Sequence, residues 1–388
     1  MSTKVLVIDD SALMRKKIRA ILEDAGFEVV TARDGQDGLD RCREEDPDVV
    51  TLDINMPVMD GLTCLSHLMT EMPRPVVMVS SLTEKGAVAT FEALELGAVD
   101  FIPKPDGTVS LHIDRIADEL VQKVRAAARA KGRIALRGRT AGRTASPRAA
   151  TATEPAEAPA RRSTARPARV ARREPAARTE PVSGGGVPKG LVVIGVSTGG
   201  PSTLERILPK LPADFPFPVI VAQHMPATFT SVFARRLDGL CDLAVLEVRR
   251  SMPIEVGNIY IGKGDADVVV ARRGARRVVT SVPADPQHLW HPSVERLVRS
   301  VLEHWRPERV IAVQLTGMGY DGAAAMKELH DRGGKTIAES EDSAVVYGMP
   351  RELVELGGAD VVIPADKVAG QLRTWARKMA AEFAHAPA

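Results

Sequence analysis

Along the first hundred residues, short runs of β-branched and other apolar residues alternate with stretches whose apolar positions recur at helical spacing. VLVI (5 to 8), EVVTA (28 to 32), DVVTL (48 to 52), VVMVS (76 to 80) and VDFIP (99 to 103) read as buried parallel strands. Between them, residues 12–24, 36–45, 62–71, 84–96 and 112–125 show the 3.6-residue recurrence of amphipathic helices. Five such units in succession predict a doubly wound parallel sheet, with its ligand site at the C-terminal strand ends. The alternation resumes with LVVIGVS (191 to 197), VIVAQH (219 to 224), NIYIG (258 to 262) and RVIAVQLTG (309 to 317). Helical spacing at about 201–210, 228–237, 291–304 and 322–331 makes this second block α/β as well.

The pattern fails between the blocks. The 63 residues from Ala126 to Pro188 hold eighteen alanines, seven prolines and no aromatic side chain, which cannot build a core. Repeated prolines followed by Ser183-Gly184-Gly185-Gly186 predict a disordered or semi-extended linker. Fourteen Lys or Arg against four Asp or Glu give this stretch +10; with +2 overall, the other 325 residues carry −8. Lacking interleaved aromatics, the basic linker reads as a solvated spacer, and no nucleic-acid partner is expected. The expected boundaries are 1–125 for the first folded block, 126–188 for the linker, 189–375 for the second block and 376–388 for a tail. Cys42, Cys64 and Cys241 include no Cys-x-x-Cys pair, which speaks against a disulfide framework. The opening MSTKVLVIDD has no signal-type apolar core, and no apolar run reaches the ~20 residues of a membrane span. A cytoplasmic chain without membrane insertion is expected.

In the first block, Asp9 and Asp10 end the first strand, Asp53 the third, Ser80 the fourth, and Lys104 follows the fifth. Clustered carboxylates repel unless a cation sits among them, and an all-oxygen pocket suits Mg²⁺. A carboxylate beside that ion, with an ammonium and a hydroxyl at hand, is equipped to accept a phosphoryl group. With VLVIDDSALMRK, DVVTLDINMPVMDGL, VVMVSSLT and AVDFIPKP, residues 4–125 resemble a response-regulator receiver domain. The resemblance implies that Asp53 is phosphorylated and that Asp10, Asp53 and the Asn55 carbonyl hold Mg²⁺, with Asp9 behind them. It further implies that Ser80 moves onto the phosphoryl oxygen, that Phe101 changes rotamer, that Lys104 pairs with the anion, and that Pro57 and Gly61 shape the adjoining loop.

In the second block, Gly195-Val196-Ser197-Thr198-Gly199 satisfies G-x-S-x-G at a strand-to-helix turn, with Pro201 suited to the first helical turn. By itself such a turn serves equally well to cradle a phosphate. His224 follows the next strand and Asp321 lies in the glycine-rich loop after RVIAVQLTG, so nucleophile, base and orienter stand at three strand ends. Their chain order, Ser, His, Asp, differs from the Ser, Asp, His order of α/β-hydrolases. With GVSTGGPSTLERIL, QHMPATFTSVFARRL, LTGMGYDGAAAMKEL and AESEDSAVVYGMPRELVELGGAD, residues 189–375 resemble the catalytic domain of the CheB chemotaxis methylesterase family.

This resemblance implies a flavodoxin-like receiver and a Rossmann-like methylesterase domain, both doubly wound parallel sheets, joined by the linker. It implies hydrolysis of glutamyl 5-methyl esters on methyl-accepting chemoreceptors with release of methanol, deamidation of receptor glutamines, and activation by a CheA-type histidine kinase. Ser197 matches the nucleophile, His224 the base and Asp321 the orienter; Thr198 and Met318 match oxyanion-side positions, and hydrolysis needs no cofactor. Two positions depart from the family pattern: Asp267 stands where a histidine is frequent and His291 where an arginine is common. The competing expectation is a phosphorylation-controlled scaffold of a chemosensory pathway without catalysis.

Overall fold

The computed structural model describes residues 2–104, 113–129, 180–181 and 188–382. In the first domain, β1 (Lys4–Ile8), β2 (Glu28–Ala32), β3 (Val49–Asp53), β4 (Val76–Ser80) and β5 (Asp100–Pro103) form one parallel sheet in the order β2-β1-β3-β4-β5. The helices α1 (Ala12–Asp24), α2 (Gly35–Glu45), α3 (Gly61–Glu71), α4 (Glu84–Glu95) and α5 (Ile113–Arg129) connect and cover it. Ser11, Asp34, Asp60 and Thr83 cap the first four by accepting a backbone N–H with their side chains. Helix α5 runs four residues past position 125, where the linker composition begins, and Ala126 and Ala127 are buried with the core of this domain. Residues 130–179 and 182–187 of the expected linker lie outside the described residues.

The second domain centres on seven parallel strands: β6 (Leu191–Val196), β7 (Val219–Gln223), β8 (Ala244–Val248), β10 (Asn258–Gly262), β13 (Val310–Gln314), β14 (Lys335–Glu339) and β15 (Val361–Ile363). Their order is β15-β14-β13-β6-β7-β10-β8, so the winding reverses between β6 and β13. That reversal opens the crevice in which α/β proteins hold ligands. Helices α6 (Gly200–Ile207), α7 (Ala227–Asp238), α8 (Val294–His304), α9 (Ala323–Asp331), α10 (Met349–Glu355) and α11 (Ala365–Glu382) pack around the sheet. Helix α11 continues beyond residue 375, with Ala376 and Met379 buried, so this part of the expected tail is folded.

A feature absent from the sequence reading is an antiparallel sheet of β9 (Met252–Pro253), β11 (Ala266–Arg273) and β12 (Arg276–Pro283). Its hairpin turns at Gly274, φ 62°, in the arginine-rich run ARRGARR, where exposed charge hides the strand period. The edge strands β8 and β15 and the adjoining β14 also escaped, being short runs without clear periodicity.

Tyr260 at the centre of β10 is fully buried; its hydroxyl donates to the Pro253 carbonyl at 2.7 Å and accepts the Glu255 N–H at 3.0 Å, tying β9 to the main sheet. Burial pushes its phenol above the ordinary range. Replacing Tyr260 by Phe strands one buried donor and one acceptor and is expected to cost about 1–3 kcal/mol, read as a lower urea midpoint at unchanged slope.

Candidate active site and phospho-acceptor pocket

The reversal between β13 and β6 brings the three hydrolytic candidates to neighbouring strand ends. Ser197 follows β6, His224 follows β7, and Asp321 sits in the loop between β13 and α9, all three largely buried. His224 Nε2 lies 2.8 Å from Asp321 Oδ2. The other ring nitrogen, Nδ1, is buried and has no hydrogen-bond partner among the described residues. With Nε2 held by the carboxylate, Nδ1 is the basic nitrogen left for a substrate or serine proton; such contacts often close only when substrate binds.

Asp321 is held by more than the histidine. Its Oδ1 accepts the Ser293 hydroxyl and the Glu295 N–H, both at 3.0 Å, and its Oδ2 accepts the Val294 N–H at 2.7 Å. These N–H groups open helix α8, whose unpaired donors and dipole favour an anion. Burial alone raises a carboxyl pKa; the bond and charge of His224 and the helix donors outweigh it and hold Asp321 below the usual carboxylate range.

The serine turn is fitted between side chains that exclude larger residues. A Cβ at Gly200 would lie 1.9 Å from Gln223 Oε1, and Gly199 takes φ 77°. The Ser197 N–H donates to the Thr316 carbonyl at 2.9 Å, and the Thr316 hydroxyl donates to the Thr198 carbonyl at 2.8 Å. Thr316 in turn gives its N–H to the fully buried Glu339 at 2.8 Å. Met318 follows Gly317, where a Cβ would stand 2.8 Å from Ser197 Cβ; the two oxyanion candidates, Thr198 and Met318, therefore flank the serine.

Two glutamines outside the expected site bind the backbones of all three candidates. Gln223 Nε2 donates to the Ser197 and His224 carbonyls at 3.0 and 3.1 Å, and Gln314 Nε2 donates to the Asp321 carbonyl at 2.8 Å. A signal existed in the matched strands VIVAQ and VIAVQ, both ending in Gln. Trp290 had no such signal. Its ring stacks on His224 at 5.9 Å and 8°, and Tyr320 meets it edge-on at 5.4 Å. The two departures from the family pattern touch each other, since His291 Nδ1 lies 2.9 Å from Asp267 Oδ1.

In the first domain, Asp9, Asp10 and Asp53 offer carboxylate oxygens within 4.8 Å of one another, a hard, all-oxygen donor set that fits Mg²⁺. Lys104 Nζ reaches Asp53 at 2.8 Å and Asp9 at 3.0 Å. Burial, with repulsion from Asp9, nevertheless leaves Asp53 above its ordinary pKa despite Lys104, so the pocket favours further positive charge. Asn55 is exposed beside the pocket. Ser80 turns away from it, donating to the Gly86 carbonyl at 3.2 Å. Phe101 is buried and stacks on Phe229 of α7 at 4.3 Å, while Phe91 stacks on Phe233 at 5.3 Å. Phe91 and Phe101 of the first domain are thus packed against the helix that begins three residues after His224.

The response regulator receiver domain family model matches residues 5–113 and the CheB methylesterase model residues 192–372. The chain is 56% identical over 380 residues to protein-glutamate methylesterase/protein-glutamine glutaminase 3 of Rhodospirillum rubrum, covering 96% of each chain. It is 51% identical to protein-glutamate methylesterase/protein-glutamine glutaminase 2 of Rhodopseudomonas palustris, covering 98% of this chain and 100% of that one. Similar solved structures include the Thermotoga maritima CheB methylesterase catalytic domain, at 37% identity and TM-score 0.46, covering 48% of this chain and 98% of that one. The response regulator domain of Thermotoga maritima CheB gives 45% identity and TM-score 0.31, covering 33% and 98%.

A carboxyl depressed by folding stabilises the native state above its unfolded pKa of about 3.9, and that contribution is lost as pH falls through the lower folded value. Urea midpoints measured from pH 7 to pH 3 should therefore fall on acidification, and Asp321→Asn should lower the pH 7 midpoint while flattening the fall.

Proposed function

Since the chain belongs to the protein-glutamate methylesterase/protein-glutamine glutaminase family and carries a receiver domain ahead of its methylesterase domain, we propose that it removes glutamyl methyl esters from chemoreceptors under phosphorylation control. The observation that carries the hydrolytic reading is the 2.8 Å bond between His224 and Asp321, beside a serine held at the neighbouring strand end.

In this reading His224 Nδ1 takes the Ser197 proton as Oγ attacks the ester carbonyl. Asp321 keeps the ring oriented and balances the imidazolium. The Thr198 and Met318 N–H groups face the developing oxyanion. Proton return from His224 releases methanol, and water, deprotonated by the same histidine, splits the acyl-enzyme to a free glutamate carboxylate. With a glutamine substrate the leaving group is ammonia and the steps are otherwise the same. Each role uses a side chain or backbone group of this chain.

The receiver is read as the control element. Asp53 accepts the phosphoryl group from a CheA-type histidine kinase. Asp10, Asp53 and the Asn55 carbonyl would hold Mg²⁺, with Asp9 behind them, and the ion supplies charge neutralisation at the acceptor. Lys104 balances the new anion, and Ser80 leaves Gly86 to donate to it. Phe101 follows Ser80 and leaves Phe229, which weakens the hold of α4 and β5 on α7. Ion pairs from Glu84 to Arg235 and from Glu95 to Arg236 border the same contact. Val345 adds a second bridge, packing against the receiver core while its Cβ lies 2.5 Å from where a Cβ on Gly199 would be. Docking of the receiver therefore bears on the serine turn through Val345 and on the helix after His224 through Phe229 and Phe233.

Methanol release from methylated receptor membranes tests the hydrolytic reading. Ser197→Ala should abolish release while phosphorylation at Asp53 continues; undiminished release would overturn it. Gating is tested on the receiver side, away from the triad. Phe91→Ala empties the stack on Phe233 and should raise the unphosphorylated rate by roughly 5-fold or more, with a smaller further gain from phosphodonor. A parental rate and a parental response in that variant would count against an inhibitory contact.

A further inference from the structure

Helix α8 supplies two of the donors that hold Asp321, so whatever fixes its first turn fixes the orienting carboxylate. The Val294 and Glu295 N–H groups go to Asp321, and the Arg296 N–H goes to the Ser293 hydroxyl. The remaining donor, the Ser293 N–H, goes to Oδ1 of Asp267 at 2.7 Å. Asp267 is fully buried at the start of β11, in the antiparallel sheet. It gathers three more donors: His291 Nδ1 at 2.9 Å on Oδ1, and the Asp285 N–H at 3.0 Å and Arg296 at 2.6 Å on Oδ2. Both ends of the 285–293 loop are thereby tied to one carboxylate, and that loop carries Trp290, the ring stacked on His224. Burial works against this charge, and the His291, Ser293, Arg296 and Asp285 donors overcome it, keeping Asp267 below the usual carboxylate range.

We propose that Asp267 is a positioning residue for the hydrolytic reaction, acting through Ser293 on Asp321 and through the 285–293 loop on Trp290 and His224. Hydrogen bonds run without a break from Asp267 to the Ser293 backbone, from the Ser293 hydroxyl to Asp321, and from Asp321 to His224. Such a chain transmits a displacement because each buried acceptor has fixed donors and little free space. His291 and Arg296 take part as donors that keep the Asp267 carboxylate charged and aimed. The proposal rests on the reading of Ser197, His224 and Asp321 as nucleophile, base and orienter.

Asp267→Asn keeps the shape but turns an amide NH₂ toward either the His291 and Ser293 donors or the Arg296 and Asp285 donors. In the full chain, with methylated receptor membranes as substrate, kcat should fall about 10- to 100-fold with KM within about twofold. The acidic limb of kcat/KM against pH should move to lower pH, because a loosened Asp321 stabilises the imidazolium less. Ser197 should also react more slowly with a fluorophosphonate, which needs the nucleophile and base but no receptor contact. A second pair guards against simple misfolding: His291→Ala should lower kcat several-fold, and His291→Asn, whose amide can replace the Nδ1 donor, should restore most of it. Parental kcat and pH profile in Asp267→Asn, or equal rates in the two His291 variants, would overturn the positioning role. If Ser197→Ala and Asp321→Asn are inactive in that same experiment, the triad reading stands even though the positioning role falls. If both keep parental turnover, the triad reading falls and takes the positioning role with it.

Discussion

A carboxylate taken out of water must be surrounded by donors or give up its charge, and the second domain is organised around meeting that demand at Asp321. The donors come from three places: the His224 ring after β7, the Ser293 hydroxyl, and the first N–H groups of helix α8. Each has to arrive at the same point, so the paths of β7, β13 and α8 are fixed together. Asp267 repeats the solution one step out, anchoring Ser293, the residue that caps the same helix, from a different sheet. The antiparallel hairpin, which contributes no candidate catalytic group, thereby becomes part of the support of the site.

Serine presentation follows the same economy of space. Glycines at 195, 200 and 317 lie where a Cβ would collide with Val294, Gln223 or Met349, so backbone and side chain pack in contact around Ser197. Gln223 and Gln314 close the ends of strands on either side of β6 and hold the carbonyls of the serine, the histidine and the aspartate. The placement of these three candidates is set by backbone anchoring as well as by the bond between His224 and Asp321.

The two domains meet through aromatic rings. Phe91 and Phe101 from the first lie against Phe229 and Phe233 of α7, and apolar residues of both domains form one continuous buried cluster. Ion pairs at the border are exposed and contribute little beside this contact. A contact built from a few rings depends strongly on where each ring sits, which suits an element read as responding to a rotamer change at Phe101.

Much of this was legible in the chain. Buried parallel strands announce themselves as largely apolar runs of four to six residues, and VLVI, DVVTL, VVMVS, LVVIGV and VIVAQ stand where they were expected. The acidic cluster, Lys104, Ser197, His224 and Asp321 were singled out as candidates because strand ends of a parallel sheet converge, a rule that needs only local pattern, and the fold brings them to those ends. The hairpin of β11 and β12, the clamps from Gln223 and Gln314, and the stack of Trp290 on His224 were not legible, since each depends on which distant segments become neighbours. Asp267 is the clearest case. In the sequence it is an isolated departure, 24 residues from His291; only the folded chain makes it the acceptor for His291, Ser293, Arg296 and Asp285. Local pattern determined the elements and the chemistry at their ends. Tertiary structure decided which buried polar groups would satisfy one another, because that depends on positions in space and not on spacing along the chain.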